Sequence, residues 1–127
     1  MRPLLDTHLL LWAAGQPKRL PASVGVLLDD AEKEPVFSSA SLWEIAIKRG
    51  LGRDDFKVET RSLRRALLDN AYEELPVTGA HAVALDGLPP IHRDPFDRLL
   101  VAQALADDLP IIGCDSVFDA YGVRRIW

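Results

Sequence analysis

The chain has 127 residues, 48% hydrophobic and 27% charged, with 15 basic and 19 acidic side chains for a net charge of −4. That is one ordinary domain, and its composition excludes a disordered chain, a collagen and a coiled coil. The single cysteine, Cys114, excludes a disulfide framework and a Cys-rich zinc site. No apolar run approaches the roughly 20 residues of a membrane span, and the mild acidity speaks against a sequence-independent DNA coat, which is normally basic.

Short apolar runs alternate with longer stretches of helical period, the pattern of an α/β protein. Pro3 to Leu5 reads as a buried strand ended by Asp6-Thr7, and Leu9 to Ala14 as an apolar helix stopped by Gly15. A second helix is predicted from Pro21 to about Lys33, with Val24, Leu27, Leu28 and Ala31 on one face, closed by Pro35. Val36 to Ser38 is the next strand. Ser41 opens a helix with Leu42, Ile45 and Ala46 at core spacing, ending near Gly50-Leu51-Gly52. Arg53 to Glu59 is a polar loop, and Arg61 to Ala71 a helix with Leu63, Ala66, Leu67 and Asn70 inward.

Glu74 to Thr78 is a candidate strand and Ala80 to Leu85 a short helix, followed by the loop Gly87-Leu88-Pro89-Pro90. Asp94-Pro95 opens a strong helix through about Asp107. The strand Pro110 to Cys114, a helical turn from Ser116 to Ala120 and the strand Val123 to Trp127 complete the chain. There is no repeat or linker. One domain over residues 1–127 is expected, with a mainly parallel sheet joined by helices. Met1 to Asp6 reaches an acid too soon for a signal peptide, so the expected location is cytoplasmic.

The common cofactor motifs are missing. There is no HExxH, no GxxxxGK[ST] and no GxSxG, and His8, His81 and His92 are not spaced as ligands. Gly50-Leu51-Gly52 lacks the third glycine and the preceding strand of a dinucleotide site. A phospho-receiver domain needs an acceptor Asp at a mid-chain strand end and a late Lys. Here the last lysine is Lys57, and Asp54-Asp55 lie in a polar stretch.

Four acids fall where chemistry is expected. Asp6 follows the first strand, Glu44 lies in the first turn of the helix after the second, Asp97 in the first turn of the long helix, and Asp115 directly after the strand ending at Cys114. In a parallel α/β sheet, strand ends and helix starts share the edge where ligands bind. Each acid also has a capping reading: Ser41-Leu42-Trp43-Glu44 matches a capping box, Asp94-Pro95-Phe96-Asp97 is a good helix start, and Asp6 and Asp115 can each cap the helix that follows. Together, though, four such acids at one edge repel unless a cation lies among them. An all-oxygen ligand set points to Mg²⁺ or Mn²⁺.

These motifs resemble the PIN-domain ribonucleases of the VapC-type toxin group. Leu4-Leu5-Asp6-Thr7-His8 resembles the first motif and Ser39 to Lys48 the second. His92-Arg93-Asp94-Pro95-Phe96-Asp97-Arg98 through Ala104 resembles the third, the most specific. Ile111-Ile112-Gly113-Cys114-Asp115, with Phe118, Tyr121 and the ending Ile126-Trp127, resembles the fourth. The resemblance implies a three-layer α/β/α fold and a Mg²⁺-dependent endoribonuclease in which Asp6, Glu44, Asp97 and Asp115 hold one or two ions. Asp6 and Asp97 would be direct ligands. It further implies RNA as substrate, a homodimer, and a cognate antitoxin occupying the acidic groove. The alternatives are a housekeeping RNA-processing nuclease and a non-catalytic RNA- or partner-binding module on the same fold.

One departure is Gly113, where the family carries Thr or Ser; Ser116 is the candidate substitute for the missing hydroxyl. Asp94 reads as a helix cap ahead of a fifth ligand. Thr7 reads as a cap on the first helix or a hydrogen-bonding group near the metal, and His92 as a polar loop residue or a contact to RNA. Residues 41–65 carry seven cations against four anions, a local +3 against −7 for the rest, which reads as a phosphate-tracking face or a solvated surface. Two of the three tryptophans, Trp12, Trp43 and Trp127, lie in apolar runs and read as core.

Overall fold

The computed structural model describes residues 1–127. Strands β1 (Leu4–Leu5), β2 (Val36–Ser38), β3 (Glu73–Leu75), β4 (Ile111–Ile112) and β5 (Arg125–Ile126) pair in parallel throughout, in the order β3-β2-β1-β4-β5. Parallel neighbours need crossovers. Helices α1 (Thr7–Gly15) and α2 (Ala22–Asp29) join β1 to β2, and α3 (Ser39–Gly50) and α4 (Thr60–Asp69) join β2 to β3. Helices α5 (Gly79–Ala84) and α6 (Pro95–Ala106) join β3 to β4, and a 3₁₀ turn over Ser116–Tyr121 leads into β5. The chain builds outward from β1 to β3 and then returns to lay β4 on the other side of β1. The sheet's switch point therefore lies between β1 and β4, beyond their carboxyl ends.

Strand residues alternate between faces. Leu4, Val36, Leu75 and Ile111 pack with Leu100, Val101 and Ala104 of α6 and with Phe118 and Tyr121. On the opposite face Leu5, Phe37 and Ile112 pack with side chains of α1, α2, α3 and α4, among them Leu9, Val24, Ile45 and Leu67. These are the three layers of an α/β/α fold. No helix is long and apolar enough to cross a membrane.

Every predicted element exists, but several boundaries move. Helix α1 starts at Thr7, directly after Asp6, and α2 ends at Asp29, leaving Ala31 exposed beyond it. Strand β3 is Glu73–Leu75, ahead of Pro76, which has no N–H to extend the ladder. Helix α3 begins at Ser39 because the Ser38 hydroxyl accepts the Ala40 N–H at 3.0 Å. Glu44 therefore sits in the second turn, and the capping box Ser41–Glu44 is overturned. Ala46, Ala66 and Asn70, expected inward, are exposed, while Phe56 in the expected polar loop is fully buried. Trp43 is 60% and Trp127 39% exposed, so the core reading fails for Trp43.

One buried polar link ties the layers together near the switch point. The Ser38 hydroxyl donates to Gln103 Oε1 at 2.5 Å, and Gln103 Nε2 reaches the Pro76 carbonyl at 3.4 Å, fastening α6 to the ends of β2 and β3. Phe37 is the large side chain that β2 contributes to the opposite face, with no exposed surface. Phe37→Ala is expected to lower stability by about 3–5 kcal/mol, read from the midpoint of a urea transition.

Candidate metal centre

Asp6 stands where β1 turns into α1. Its backbone N–H donates to the Ile112 carbonyl at 3.0 Å, so β4 holds it in place, and its extended backbone (φ −61°, ψ 151°) makes it the N-cap residue of α1. Yet its side chain caps nothing. The carboxylate is buried and packs against Gly113: a Cβ there would lie 3.1 Å from Asp6 Cβ and 3.4 Å from a Phe118 ring carbon. The departure at Gly113 thus has a steric counterpart, because a larger residue would press on Asp6.

Glu44 is 2% exposed in α3. Its Oε2 accepts from Lys48 Nζ at 2.5 Å one turn on, and its Oε1 is buried with no partner. Lys48 itself is half-buried, 4.0 Å from Asp94 Oδ2, with its ammonium 4.9 Å from the centre of the Phe56 ring and 5.9 Å from that of Phe96. The sequence places Lys48 at the end of the second motif and in a basic stretch, with no partner assigned. The signal for its role was its i,i+4 spacing from Glu44.

Asp94 caps α6, accepting the Phe96 N–H at 2.8 Å and the Asp97 N–H at 3.3 Å, which supports its capping reading. Asp97, in the first turn, receives His92 Nε2 on Oδ2 at 2.8 Å. His92 Nδ1 accepts the Arg93 N–H at 3.0 Å, so the proton is on Nε2 and the imidazole donates to Asp97. The His92 backbone N–H donates to the Tyr121 hydroxyl at 2.7 Å, and Arg98 reaches that hydroxyl at 3.4 Å and the Pro89 carbonyl at 2.9 Å. His92 is a larger part of the site than its loop position implied. Asp115 caps the 3₁₀ turn through Oδ1, which accepts the Val117 N–H at 3.0 Å. One ligand atom each from His92, Asp97 and Asp115 lie within 4.8 Å of one another.

Asp6 lies near enough to Asp97, Glu44 and Asp115 to feel their charges, although the ligand atoms within 4.8 Å of one another come from His92, Asp97 and Asp115 and not from Asp6 or Glu44. Burial pushes the Asp6 carboxyl up to about 7; the charge of Asp97 adds to this, the Thr7 N–H opposes it, and Glu44 and Asp115 add smaller contributions. Asp97 is raised to about 6, mainly by burial and then by Asp94, with the His92 hydrogen bond acting against them and Glu44 adding to the rise. A buried, unpartnered carboxylate oxygen beside two acids with raised pKa values is a donor set suited to a hard divalent cation.

The supporting residues fare unevenly. Thr7 is not the cap of α1, which starts after Asp6; its buried hydroxyl donates to Ser41 Oγ at 2.9 Å, clamping α1 to α3. Ser116 is exposed. Of the cations in residues 41–65, Lys48, Arg53, Lys57, Arg64 and Arg65 are each paired with a carboxylate; Arg64 and Arg65 take theirs, Glu74 and Asp69, from outside the stretch, which reduces its +3 to +1. Beside the acids opens a cleft of about 620 Å³ whose lining includes His8, Trp12, Arg19, Lys57 and Cys114. The Arg19 guanidinium lies 4.3 Å from the centre of the Trp12 ring there.

A carboxyl whose folded pKa is raised favours the protonated fold, so its stabilising effect is complete below about pH 4 and lost as pH rises through the folded value. For Asp6 and Asp97 that window runs from about 4 to about 7. Asp6→Asn removes the larger share. In a chelator at pH 8 the variant should be more stable than wild type by on the order of 2–4 kcal/mol, with the gap closing at pH 4. Thermal melts at both pH values check this.

The sequence pattern of the family described as PIN domain matches residues 4–123. No curated protein matches the chain significantly by sequence. Among solved structures it is similar to VapBC2 from Rickettsia felis bound to a DNA fragment from their promoter, at 14% identity and TM-score 0.73, covering 99% of this chain and 98% of that one. FitAcB from Neisseria gonorrhoeae is similar at 19% identity and TM-score 0.66, covering 100% and 97%. VapBC-1 from nontypeable Haemophilus influenzae is similar at 17% identity and TM-score 0.65, covering 99% and 97%. With the pattern running from β1 to the threshold of β5, the chain belongs to the PIN domain family.

Proposed function

We propose that this protein is a Mg²⁺-dependent endoribonuclease, with Mn²⁺ as an alternative ion, and the toxin of a toxin–antitoxin pair. The observation that carries the reading is the buried, unpartnered Glu44 Oε1 among the mutually repelling Asp6, Asp97 and Asp115. Asp6, Glu44, Asp97 and Asp115 would hold the ion, which would supply a water of lowered pKa and neutralise charge on the phosphodiester and the leaving oxygen.

The protein's own residues prepare that chemistry. Burial of Asp6 and Glu44 keeps bulk water from screening their charge. The His92 hydrogen bond fixes Asp97 by one oxygen and leaves the other free. The nearby cleft offers the Trp12 and His8 rings as stacking surfaces for bases of a nucleic-acid strand, while its cations Arg19 and Lys57 are balanced by Asp54 and Asp55. RNA in particular, and the toxin role, follow from the motif resemblance to the VapC-type group, whose name the relatives VapBC2 and VapBC-1 carry.

A cognate antitoxin is the proposed protein partner, with an inserted Arg or Lys meeting the acidic groove, and the proposed location is the cytoplasm. A homodimer is supported by an apolar strip on α3 and its C-cap: Trp43 and Ile47 in the helix and Leu51 just past its end are 60%, 39% and 74% exposed.

The decisive experiment is cleavage of a panel of structured RNAs with and without Mg²⁺. Wild type is expected to cut at internal phosphodiesters only with the ion, and Asp6→Asn and Asp97→Asn to lose at least 100-fold in rate (roughly, as for loss of a charge-stabilising group). Cleavage in a chelator, or unchanged rates in both variants, defeats the reading. For the dimer, sedimentation of Trp43→Glu should show a monomer where wild type shows a dimer.

A further inference from the structure

The cleft beside the metal centre carries a chemistry of its own. Its lining includes His8, two residues after Asp6, and Cys114, the neighbour of Asp115, so it opens next to two of the four acids. At about 620 Å³ it is in the size range of pockets that enclose small organic ligands. Its charged groups, Arg19 and Lys57 against Asp54 and Asp55, cancel. A cleft without net charge has little attraction for a phosphate and suits an uncharged, flat nucleobase.

One wall of the cleft is made for stacking. The His8 and Trp12 ring centres lie 6.3 Å apart, and the Arg19 guanidinium lies over the indole at 4.3 Å. Aromatic rings and guanidinium planes both stack on bases. The polar edge of the cleft is Asp55. Its carboxylate stands 3.6 Å from His8 Nε2 and 3.5 Å from Arg53 Nε, so it adjoins the aromatic wall. Both separations are longer than a good N–H···O bond, and these side chains hold the charge of Asp55 without saturating it as an acceptor. Burial works against ionisation of Asp55, but its own N–H, Arg53 and His8 keep its carboxyl below the ordinary value.

We propose that this cleft is a guanine subsite, in which the base stacks on the His8–Trp12 wall and Asp55 accepts from its base-pairing edge. A carboxylate is suited to two parallel N–H donors. Guanine alone among the four RNA bases presents two neighbouring donors on that edge, N1–H and the N2 amino group. Adenine and cytosine set a ring-nitrogen acceptor beside their amino group, and uracil flanks its one N–H with two carbonyls. Each of those three turns a lone pair toward the carboxylate. Guanine O6, on the same edge, needs a donor, and the exposed Lys57 two residues after Asp55 is the cation at hand. The inference rests on the nucleic-acid reading above and deepens it: the preferred substrate is RNA with an unpaired guanine beside the cut phosphodiester.

The test reads binding in a chelator, without cleavage. Full-length wild type is titrated with single-stranded hexauridylate and with the same hexamer carrying one central guanine, adenine or cytosine, followed by tryptophan fluorescence. The guanine hexamer is expected to bind about 10-fold more tightly than the others, as for a bidentate base contact. Asp55→Asn, which exchanges one acceptor for a donor, should keep a cooperative thermal melt and bind all four alike. Trp12→Phe should lose most of the quenching. Equal affinity of wild type for the four hexamers, no binding of any, a guanine preference that survives in Asp55→Asn, or unchanged quenching in Trp12→Phe overturns the subsite and leaves the nuclease reading to its own experiment. Guanine binding without Mg²⁺-dependent cleavage overturns the nuclease reading and leaves the subsite standing.

Discussion

The constraint on which this protein depends is the concentration of negative charge at the switch point of its sheet. Four carboxylates from β1, α3, α6 and the end of β4 share a space from which water is partly excluded. There, two of them hold their protons to pH values near neutrality. Nothing in folding favours that arrangement by itself, since desolvated like charges cost stability. The fold tolerates it because β1 and β4 are locked to each other by backbone hydrogen bonds at Leu4 and at Asp6 itself. Around that seam, two apolar layers of comparable size bury the sheet.

The chain manages the charge with an orderly set of donors. Lys48, His92 and the Val117 N–H each take one carboxylate oxygen, and the Tyr121 hydroxyl and Arg98 in turn secure the His92 loop. Helix caps and site residues are therefore not competing roles here. Asp115 caps its 3₁₀ turn with one oxygen and offers the other, whereas Asp6 occupies a cap position without capping. A capping signature read from sequence locates an acid at a helix start; whether its oxygens are spent there is a matter of side-chain geometry. Part of the net acidity, which at first argues against a nucleic-acid partner, is gathered at this one edge of the sheet.

The sequence by itself determined the alternation of strands and helices and the parallel sheet, and it set four acids close to strand ends and helix starts. Short buried runs such as Leu4-Leu5 and Ile111-Ile112, and the Asp94-Pro95 start of α6, are local signals that tertiary context reinforces. Where the reading went astray, packing had the decision. Ser38 took the cap of α3 and shifted Glu44 to the second turn, Phe56 entered the core from a polar segment, and Trp43 was left outside it.

Only the tertiary structure decided the partners. Lys48 is one cation among seven in its stretch until α3 and α6 pack and set its ammonium between Glu44 and Asp94. His92 is a loop residue until Tyr121, 29 positions away, fixes its backbone beside Asp97. Gly113 is an absent hydroxyl until Asp6 is seen resting on it. Such contacts join residues far apart in the chain, so no local pattern encodes them; burial and repulsion at the switch point select them when the layers close.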